Sequence, residues 1–392
     1  MMRLFLKKGR EESLRRFHPW VFSGAVARCE GQAAEGDVVE VYTHDGIFLA
    51  TGHYQEGSIT VRVLSFRQCA IDADFWEAAL RKARALREAA IPAAGTTAYR
   101  LVHGEGDNLP GLIIDIYGNT AVLQAHAIGM FRARHAIADA LRKIYENRLV
   151  AIYDKSAATL ACKDNEAIPD SYLYRAGEAE NIILENGYRF AVDWEKGQKT
   201  GFFLDQRDNR QLLSQYAKGR SVLNLFCYTG GFSVYALGGG AARVHSVDSS
   251  QRAVDLANEN VSLNFARAAP HEAFATDAFD FLYNSDNHTY DLMILDPPAF
   301  AKHKGALRNA LQAYKRLNAA ALSRIAPGGI VFTFSCSQVV NKIDFRNAVF
   351  SAAAISGRPI RILHQLTQPA DHPINIYHPE GEYLKGLVLQ VE

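Results

Sequence analysis

The sequence predicts an α/β protein in three parts, with a doubly wound parallel sheet in the last part. Three differences in sequence texture lead to this prediction. Residues 1–72 hold short strand-like runs separated by turn signals, which indicates a small β-barrel. Residues 73–192 mix helical and hairpin patterns, as a central α+β domain does. Residues 193–392 alternate strand-like and helical runs, the pattern of parallel βαβ units.

The composition excludes several classes of protein. Hydrophobic residues make up 48% of the chain and charged residues 22%, so a mainly disordered or fibrous chain is not expected. No run reaches the roughly 18 apolar residues that span a bilayer. No apolar segment of signal-peptide length follows the basic start, which predicts a cytoplasmic protein with no membrane partner. The net charge of +1 argues against a protein that coats nucleic acid, although a local basic patch remains compatible with it.

The five cysteines are scattered along the chain, at Cys29, Cys69, Cys162, Cys227 and Cys336. Because none forms a CxxC pair, neither a metal site nor a disulfide framework is expected. The default interpretation of each cysteine is a small buried hydrophobic residue.

The elements of the first two parts follow from strand runs, turn pairs and helical spacing. Strands are predicted in the barrel at 38–42, 47–50 and 59–64, and a helix from about 74 to 90 with Asp72 or Asp74 as its cap. In the central domain, Gly118-Asn119 and Asn186-Gly187 predict two hairpins. The strands of the first hairpin are predicted at 112–117 and 121–125, and those of the second at 182–185 and 188–192. One further strand is predicted at 151–154 and one helix at 131–145.

The last part is predicted as four parallel strands with helices between them and two antiparallel strands at the end. The parallel strands are 221–226, 243–247, 292–295 and 330–335. The helices are 231–237, 252–264, 306–326 and 342–354, and the terminal strands are 360–367 and 384–391.

The turn after the first of these strands is the most informative segment. The strand ends at Phe226, the turn holds Gly230 and Gly231, and a helix follows. Glycines there let the backbone approach a ligand, and Asp248, 18 residues after Gly230, is placed to bind ribose hydroxyls. A tight strand-to-helix turn with no ligand is the alternative.

The ligand favoured by this segment is S-adenosylmethionine. The turn lacks GxGxxG and a phosphate-binding Lys-Ser/Thr pair, and it carries Thr229 beside Tyr228. Asp277 ends a later strand and is placed to bind the adenine amine, with a helix N-cap as the equal alternative. The predicted cofactor residues in this region are Phe226, Tyr228, Thr229, Gly230, Gly231, Asp248, Ser249, Asp277 and Asp296.

A second loop, Asp296-Pro297-Pro298-Ala299-Phe300, follows the third parallel strand. Two prolines hold the backbone rigid, so Asp296 can face a flat substrate and Phe300 can stack on a base. The pattern favours methyl transfer to a planar ring or its amine. A plain turn at a strand end is the alternative.

Cys336 follows the fourth parallel strand, at the edge where such sites assemble. Position 5 of a pyrimidine becomes nucleophilic only after a thiolate adds at position 6, so carbon methylation there needs a cysteine such as Cys336. Asp296 would then hydrogen-bond the ring nitrogen or amine of cytosine. The alternative for Cys336 is a structural thiol, and Cys227 is interpreted as packing.

Two basic stretches are candidate RNA contacts. Residues 302–324 carry Lys302, Lys304 and Arg308 with no acidic residue, directly after the proline loop. Residues 3–16 are also basic and precede Trp20, an aromatic that can stack on bases. A solvated helix face and a buried Trp20 are the alternatives.

Longer motifs resemble those of the large-subunit ribosomal RNA methyltransferase I family over essentially the full length. The motifs are His18-Pro-Trp-Val-Phe-Ser-Gly24, Gly104-Glu-Gly-Asp-Asn-Leu-Pro-Gly111, Lys199-Thr-Gly-Phe-Phe-Leu-Asp-Gln-Arg207, Asn224-Leu-Phe-Cys-Tyr-Thr-Gly-Gly231, Asp296-Pro-Pro-Ala-Phe300, Ser335-Cys-Ser337 and Asp371-His-Pro373. The family consists of class I enzymes that make 5-methylcytosine.

This resemblance implies an amino-terminal PUA domain, a central α+β domain and a Rossmann-like catalytic domain. It also implies that Phe203, Asp205 and Gln206 lie beside the cofactor cleft, in a stretch that spacing alone predicts to be a linker. One departure is Ala299, which replaces the lysine common after the two prolines; Lys302 and Lys304 are candidates for its role.

The leading hypothesis is an S-adenosylmethionine-dependent cytosine-5 methyltransferase of large-subunit ribosomal RNA. One alternative is methylation of a guanine nitrogen in RNA, a branch that shares the Asp-Pro-Pro loop and lacks the cysteine. The other is an RNA-binding assembly factor without turnover. The target nucleotide and the oligomeric state, a homodimer included, are left open.

Overall fold

The computed structural model describes residues 1–91, 95–160, 169–265, 269–284, 286 and 289–392, so Cys162 lies outside the described residues. The chain divides into two compact units. The first consists of Met1–Ile183, Val192–Leu204 and Ala370–Gly381, and the second of Leu184–Ala191, Asp205–Pro369 and Glu382–Glu392. The three domain boundaries expected from the sequence stay a prediction. Within these described ranges, no helix is long and apolar enough to cross a membrane.

The first unit begins with a six-stranded mixed sheet. Its strands are β1 Arg3–Leu6, β2 Trp20–Phe22, β3 Val26–Glu30, β4 Val38–Tyr42, β5 Phe48–Tyr54 and β6 Ile59–Ser65, and a one-turn helix α1 (Glu12–Arg15) follows β1. The order across the sheet is β2-β6-β5-β4-β1-β3, with β1 parallel to β4. Buried aliphatic residues such as Leu4, Val39 and Val61 form one core beneath it.

A second sheet in this unit shares a core with three helices. The elements are α2 Ala73–Ala90, β7 Ala98–His103, β8 Leu112–Tyr117, β9 Thr120–Ala125, α3 Ile128–Arg132, α4 Arg134–Tyr145, β10 Ala151–Asp154 and β11 Ser171–Arg175. The strand order is β11-β10-β9-β8-β7. Asp72 caps α2, since its carboxylate accepts a 3.1 Å hydrogen bond from the Phe75 amide.

The second unit is built on a seven-stranded sheet. A hairpin of β12 Ile182–Glu185 and β13 Tyr188–Ala191 precedes it in the chain. The following elements are α5 Arg207–Tyr216, β14 Ser221–Leu225, α6 Gly231–Gly238, β15 Arg243–Asp248, α7 Gln251–Asn264, β16 His271–Ala275, α8 Ala278–Asn284, β17 Leu292–Leu295, α9 Leu307–Arg324, β18 Gly329–Ser335, α10 Lys342–Ser356, β19 Ile360–Leu366 and β20 Lys385–Val391.

The order of this sheet places a topological switch point between β14 and β17. The strands run β16-β15-β14-β17-β18-β20-β19, and the first five are parallel. Successive residues of β14 face opposite layers: Val222 packs with α5 and α6, whereas Leu223 packs with α9 and α10. Apolar residues on both faces are the mark of a buried parallel sheet, so the doubly wound arrangement predicted from the sequence is present.

Two exposed cysteines correct the expectation that each cysteine is buried. Cys29 and Cys69 are exposed, whereas Cys227 is buried and Cys336 is half-buried. Cys29 lies on β3, an edge strand with little buried surface, and Cys69 lies in the loop before α2. Neither position offers an apolar layer to cover the thiol.

Candidate functional site

The candidate site in the second unit lies at the carboxyl ends of the parallel strands. The segments after β14, β15, β17 and β18 all meet that edge of the sheet, on both sides of the switch point. Ligands of open α/β sheets bind at this position because the loops there diverge and leave a crevice. The sequence placed most of its candidate residues in these four segments.

The turn after β14 has an unusual backbone. Phe226, Tyr228 and Gly230 have positive φ angles of 58°, 45° and 75°. For a residue with a Cβ atom this conformation costs about 1–2 kcal/mol. The turn is held by two hydrogen bonds, from the Cys227 amide to the Val247 carbonyl and from the Gly230 amide to the Cys227 carbonyl, at 3.0 and 2.8 Å. Strain maintained in this way is common where a backbone must present itself to a ligand.

The two glycines of the turn are required by packing. A Cβ atom on Gly230 would lie 2.9 Å from the Cβ atom of Ala257 on α7. A Cβ atom on Gly231 would lie 3.1 Å from the Arg210 side chain on α5. A tight strand-to-helix turn therefore accounts for both residues, and their part in cofactor binding stays a prediction, as does that of the buried Thr229.

Asp248 ties the end of β15 to this turn. One carboxylate oxygen accepts from the Tyr228 amide at 3.0 Å and the other from the Ser250 amide at 3.0 Å. Each oxygen keeps a lone pair for a further donor. Asp248 is half-buried and Ser249 is exposed, so the carboxylate is both oriented by the backbone and accessible from the crevice edge.

Asp277 has the helix-capping role that the sequence left as one of two alternatives. One of its carboxylate oxygens accepts from the Phe279 and Asp280 amides at 2.8 and 3.1 Å, at the start of α8. Its contact with an adenine amine stays a prediction.

Residues 204–206 form a 3₁₀ turn that leads into α5 at Arg207, so the linker expected from spacing is wrong for Asp205 and Gln206. The apolar spacing of Leu212, Leu213 and Tyr216 is the helical signal that was missed. The Gln206 amide donates to the Asp296 carboxylate at 3.1 Å, and Asn209 donates to the Gln206 side-chain oxygen at 2.6 Å.

Asp205 is hydrogen-bonded to the segment that precedes β20. The Tyr383 hydroxyl, just before β20, donates to the Asp205 carboxylate at 2.7 Å. Phe203 belongs to the first unit, where the Lys199 ammonium lies 4.8 Å from its ring centroid. Of the three residues implied by the family resemblance, Asp205 and Gln206 thus lie in the same unit as the crevice.

The proline loop after β17 is partly exposed. Asp296 is half-buried, Pro297 is buried and Pro298 is exposed. The half-buried Phe300 ring lies 4.8 Å from the Tyr314 ring, centroid to centroid. Its predicted stacking on a base therefore concerns only the part of the ring that Tyr314 leaves uncovered.

Tyr314, on α9, joins the proline loop to the segment that carries Cys336. Its buried hydroxyl accepts from the Ser335 hydroxyl at 2.9 Å and lies 3.3 Å from the Ser337 hydroxyl. The Ser337 hydroxyl also accepts from the Ala301 amide at 3.3 Å. Cys336 is thus placed between two anchored serines, beside the loop that begins at Asp296.

The two cysteines of this unit differ in their surroundings. Burial raises the pKa of the Cys227 thiol far above its usual value, and the Asp248 carboxylate raises it further. Cys227 is therefore an inert packing thiol, as the sequence suggested. Cys336 is half-buried at the strand end and remains the candidate nucleophile.

The predicted RNA contacts lie on surfaces of both units. Lys302 and Lys304, just before α9, and Arg308, in its first turn, are exposed. Their exposure fits phosphate contacts and a solvated helix face equally well. Trp20 is half-buried in the first unit: its indole N–H donates to Glu105 at 2.9 Å, and its ring lies 4.3 Å from the His378 ring. Those contacts supply a structural role for Trp20, so its base stacking stays a prediction.

Three site residues were missed from the sequence: Tyr314, Tyr383 and Lys385. The Lys385 ammonium donates to the carbonyl oxygens of Ser337 and Tyr383, both at 2.6 Å. Its one sequence signal is a lysine inside the apolar run 384–391. No spacing rule identifies Tyr314 and Tyr383, because their partners are far away in the chain. Among the described residues, no group of three or more His, Cys, Asp and Glu side chains is placed to hold a metal.

Two known sequence families match the chain. A family described as S-adenosylmethionine-dependent methyltransferase matches residues 100–374, and one described as PUA-like domain matches residues 4–66. These matches confirm the predicted fold class and the cofactor, S-adenosylmethionine.

Relatives and a solved structure match over essentially the full length of the chain. The chain is 42% identical to "Ribosomal RNA large subunit methyltransferase I" of Aeromonas hydrophila subsp. hydrophila, over 99% of this chain and 98% of the relative. It is 41% identical to the protein of the same name from Shewanella amazonensis, over 100% and 99%. A solved putative methyltransferase complexed with SAH has a TM-score of 0.85, 26% identity and full coverage of both chains.

Proposed function

Because the chain belongs to the ribosomal RNA large subunit methyltransferase I family, we propose that it makes 5-methylcytosine in large-subunit ribosomal RNA through a covalent Cys336 intermediate. The observation that supports this most is the position of Cys336. It is a half-buried thiol at the end of a central strand, and its neighbour Ser337 is hydrogen-bonded to the loop that starts at Asp296. The RNA substrate itself is suggested by the printed names of the relatives.

The residues at the sheet edge fit S-adenosylmethionine. The molecule carries a cationic sulfonium, an amino group and a ribose diol, all of which pair with carboxylates. Asp248 offers further lone pairs beside a strained turn, and Asp205 and Asp296 are each oriented by a hydrogen bond. We assign Asp248 to the ribose and Asp205 with Gln206 to the same cleft. The bound cofactor supplies an electrophilic methyl group.

The chemistry begins at the Cys336 sulfur. The thiolate forms a bond to carbon 6 of cytosine, and the electrons of the 5,6 double bond make carbon 5 nucleophilic. Asp296 hydrogen-bonds the ring nitrogen or amine, and as a protonated donor to the ring nitrogen it stabilises the negative charge that develops there. Carbon 5 would then take the methyl group, whose bond to the sulfonium sulfur breaks and leaves that sulfur as a neutral thioether. Water or a base then takes the carbon 5 proton, the bond from carbon 6 to the Cys336 sulfur breaks, and the 5,6 double bond and the thiolate are restored.

The RNA is held by exposed cations beside the proline loop in this proposal. Lys302, Lys304 and Arg308 are exposed and lie within a few residues of Phe300 in the chain, a position suited to phosphates that flank the target. Pro297 and Pro298 shape the wall against the base. We place the reaction in the cytoplasm, where this RNA is made and assembled in bacteria.

The test is a pair of serine variants assayed by nucleoside mass spectrometry of ribosomal RNA. In a strain lacking the gene, wild type and Cys69→Ser restore 5-methylcytosine, whereas Cys336→Ser does not. Cys69 is the matched control because it is an exposed thiol in the first unit. RNA containing 5-fluorocytosine should trap wild-type protein covalently, since the fluorine cannot leave as the proton does. If Cys336→Ser restores 5-methylcytosine, the thiolate mechanism is overturned. If the strain that lacks the gene is missing a methylguanine instead of a 5-methylcytosine, the enzyme methylates guanine.

A further inference from the structure

A lysine is buried beside the candidate nucleophile without an acidic partner in direct contact among the described residues. Lys385 is 4% exposed and lies on β20, opposite Ser335 of β18 in the antiparallel register. Its ammonium donates to the Ser337 and Tyr383 carbonyl oxygens. An ammonium carries three donors, so two carbonyls leave one donor for further negative charge. Burying a charged side chain costs free energy, and an apolar residue at this position of β20 would avoid that cost.

The Cys336 thiol lies near Lys385 and becomes an anion when it ionises. Burial lowers the pKa of Lys385 to about 8, whereas the nearby Cys336 and Glu382 raise it and Lys342 lowers it. The ammonium is therefore still mostly protonated at neutral pH. Among the described residues, the charged and titratable groups near it are Cys336 after β18, Lys342 and Arg346 on α10, and Glu382 before β20. Tyr314 on α9 lies beside Cys336.

We propose that Lys385 is a positioning residue for Cys336: its ammonium anchors the Ser337 carbonyl, directly after Cys336, and stabilises the Cys336 thiolate. The inference rests on the proposed function, in which that thiolate attacks the base. On ionisation the Sγ–H bond breaks, the sulfur keeps the electron pair and the proton goes to water. Lys385 keeps its three protons throughout. The positive charge is already in place before the RNA binds, so no reorganisation is needed when the sulfur becomes charged.

The test measures the ionisation of Cys336 directly, through its rate of alkylation by iodoacetamide. Only the thiolate reacts, so the rate as a function of pH gives the thiol pKa. The rate is followed for each cysteine peptide by mass spectrometry between about pH 6 and 10. The proteins compared are wild type, Lys385→Met, Lys385→Arg and Lys342→Met. Cys69 is an exposed reference thiol, and protection of the buried Cys227 reports that the second unit is folded.

In the wild type, we expect the Cys336 profile to reach its midpoint at least about one pH unit below that of Cys69. Lys385→Met should raise the midpoint by about one unit or more and lower the alkylation rate near neutral pH about tenfold. Lys385→Arg should recover part of that loss. Lys342→Met should leave the midpoint in place, because Lys342 is a partly exposed cation that already pairs with Glu382.

Two outcomes overturn the inference. One is a wild-type Cys336 midpoint at or above that of Cys69, which needs no variant to fold. The other is an unchanged midpoint in Lys385→Met while Cys227 stays protected. Failure of the proposed function gives a different result. It would appear as methylation by the Cys336→Ser protein, a result that does not alter the alkylation profile of Cys336 in the proteins that keep this cysteine.

Discussion

The side-chain amide of Gln206 donates a 3.1 Å hydrogen bond to the carboxylate of Asp296, across 90 residues of sequence. Gln206 ends the turn before α5, and Asp296 begins the proline loop after β17. Asn209 holds Gln206 in turn through its side-chain oxygen. The orientation of the candidate catalytic carboxylate is thus set by the segment that leads into α5.

We expect Gln206→Ala to slow methylation more than it weakens cofactor binding. A hydrogen bond to a charged group contributes about 1.5–3 kcal/mol, which corresponds to roughly a tenfold to hundredfold fall in kcat. The measurement is steady-state kinetics together with the Kd for S-adenosylmethionine by calorimetry. Gln211→Ala on the exposed side of α5 is the control. A normal kcat in Gln206→Ala would show that Asp296 needs no such support.

Gly230→Ala should destabilise the second unit by about 2–4 kcal/mol. About 1–2 kcal/mol comes from the left-handed backbone, and the rest from contact of the new methyl group with Ala257. Gly328→Ala is a matched control, because Gly328 has nearly the same φ, 73°, and no atom within 4 Å of the added Cβ. Urea unfolding of the two variants therefore separates the backbone effect from the packing effect. Equal losses would mean that α6 and α7 can move apart without cost.

Local sequence signals encode part of the fold and of the candidate site. Turn pairs such as Asn186-Gly187, the Asp72 cap and the strand ends at Asp248 and Asp296 are local signals, and the structure has each of them. The strands β1, β2 and β3 were missed because they are short, and β3 is largely exposed. The partners of Tyr314 and Lys385 were missed because they depend on the register of distant strands. Such contacts carry no fixed spacing in the chain.

Glu185→Gln should cost the second unit about 3–5 kcal/mol of unfolding free energy. The Glu185 and Arg210 side chains are 0% and 3% exposed and form two hydrogen bonds of 2.8 and 2.7 Å. The variant leaves the Arg210 charge buried without its counterion, a change in that range of energies. Glu392→Gln, which breaks an exposed pair with Arg361, should cost less than about 1 kcal/mol. Chemical unfolding at neutral pH measures both, and similar losses would contradict the role of burial.

Tyr314→Phe should lower stability and activity together. The hydroxyl serves both Ser335 and Ser337 in a buried setting, so its loss leaves polar groups unpaired at a cost of about 1–3 kcal/mol. Methylation should fall as well, since those serines flank Cys336. Tyr283→Phe is the control, because Tyr283 is 52% exposed. Thermal unfolding and methylation assays are the measurements, and full activity in Tyr314→Phe would remove the hydroxyl from the positioning of Cys336.

The first unit should lose stability as the pH falls below neutrality, in part through His53. Burial, and then the Arg62 charge, lower the pKa of His53 from 6.5 to about 4. The unfolded chain therefore binds a proton that the folded chain rejects, and stability falls as the pH drops from about 6.5 towards 4. Integrating over this window gives a loss of roughly 2 kcal/mol at about pH 5. The side chain is 5% exposed, so solvent screening is small.

Replacing His53 with Gln tests this assignment, because glutamine keeps a polar side chain that does not titrate. The difference in unfolding free energy between about pH 8 and 5 should be smaller in His53→Gln than in the wild type by roughly 2 kcal/mol. Denaturant unfolding followed by tryptophan fluorescence suits the measurement, since Trp76 stacks 6.2 Å from the His53 ring. The exposed His44 gives the control variant His44→Gln, which should keep the wild-type difference. An unchanged pH dependence in His53→Gln would move the acid sensitivity to other histidines of this unit, such as the half-buried His103, whose pKa is also lowered by desolvation.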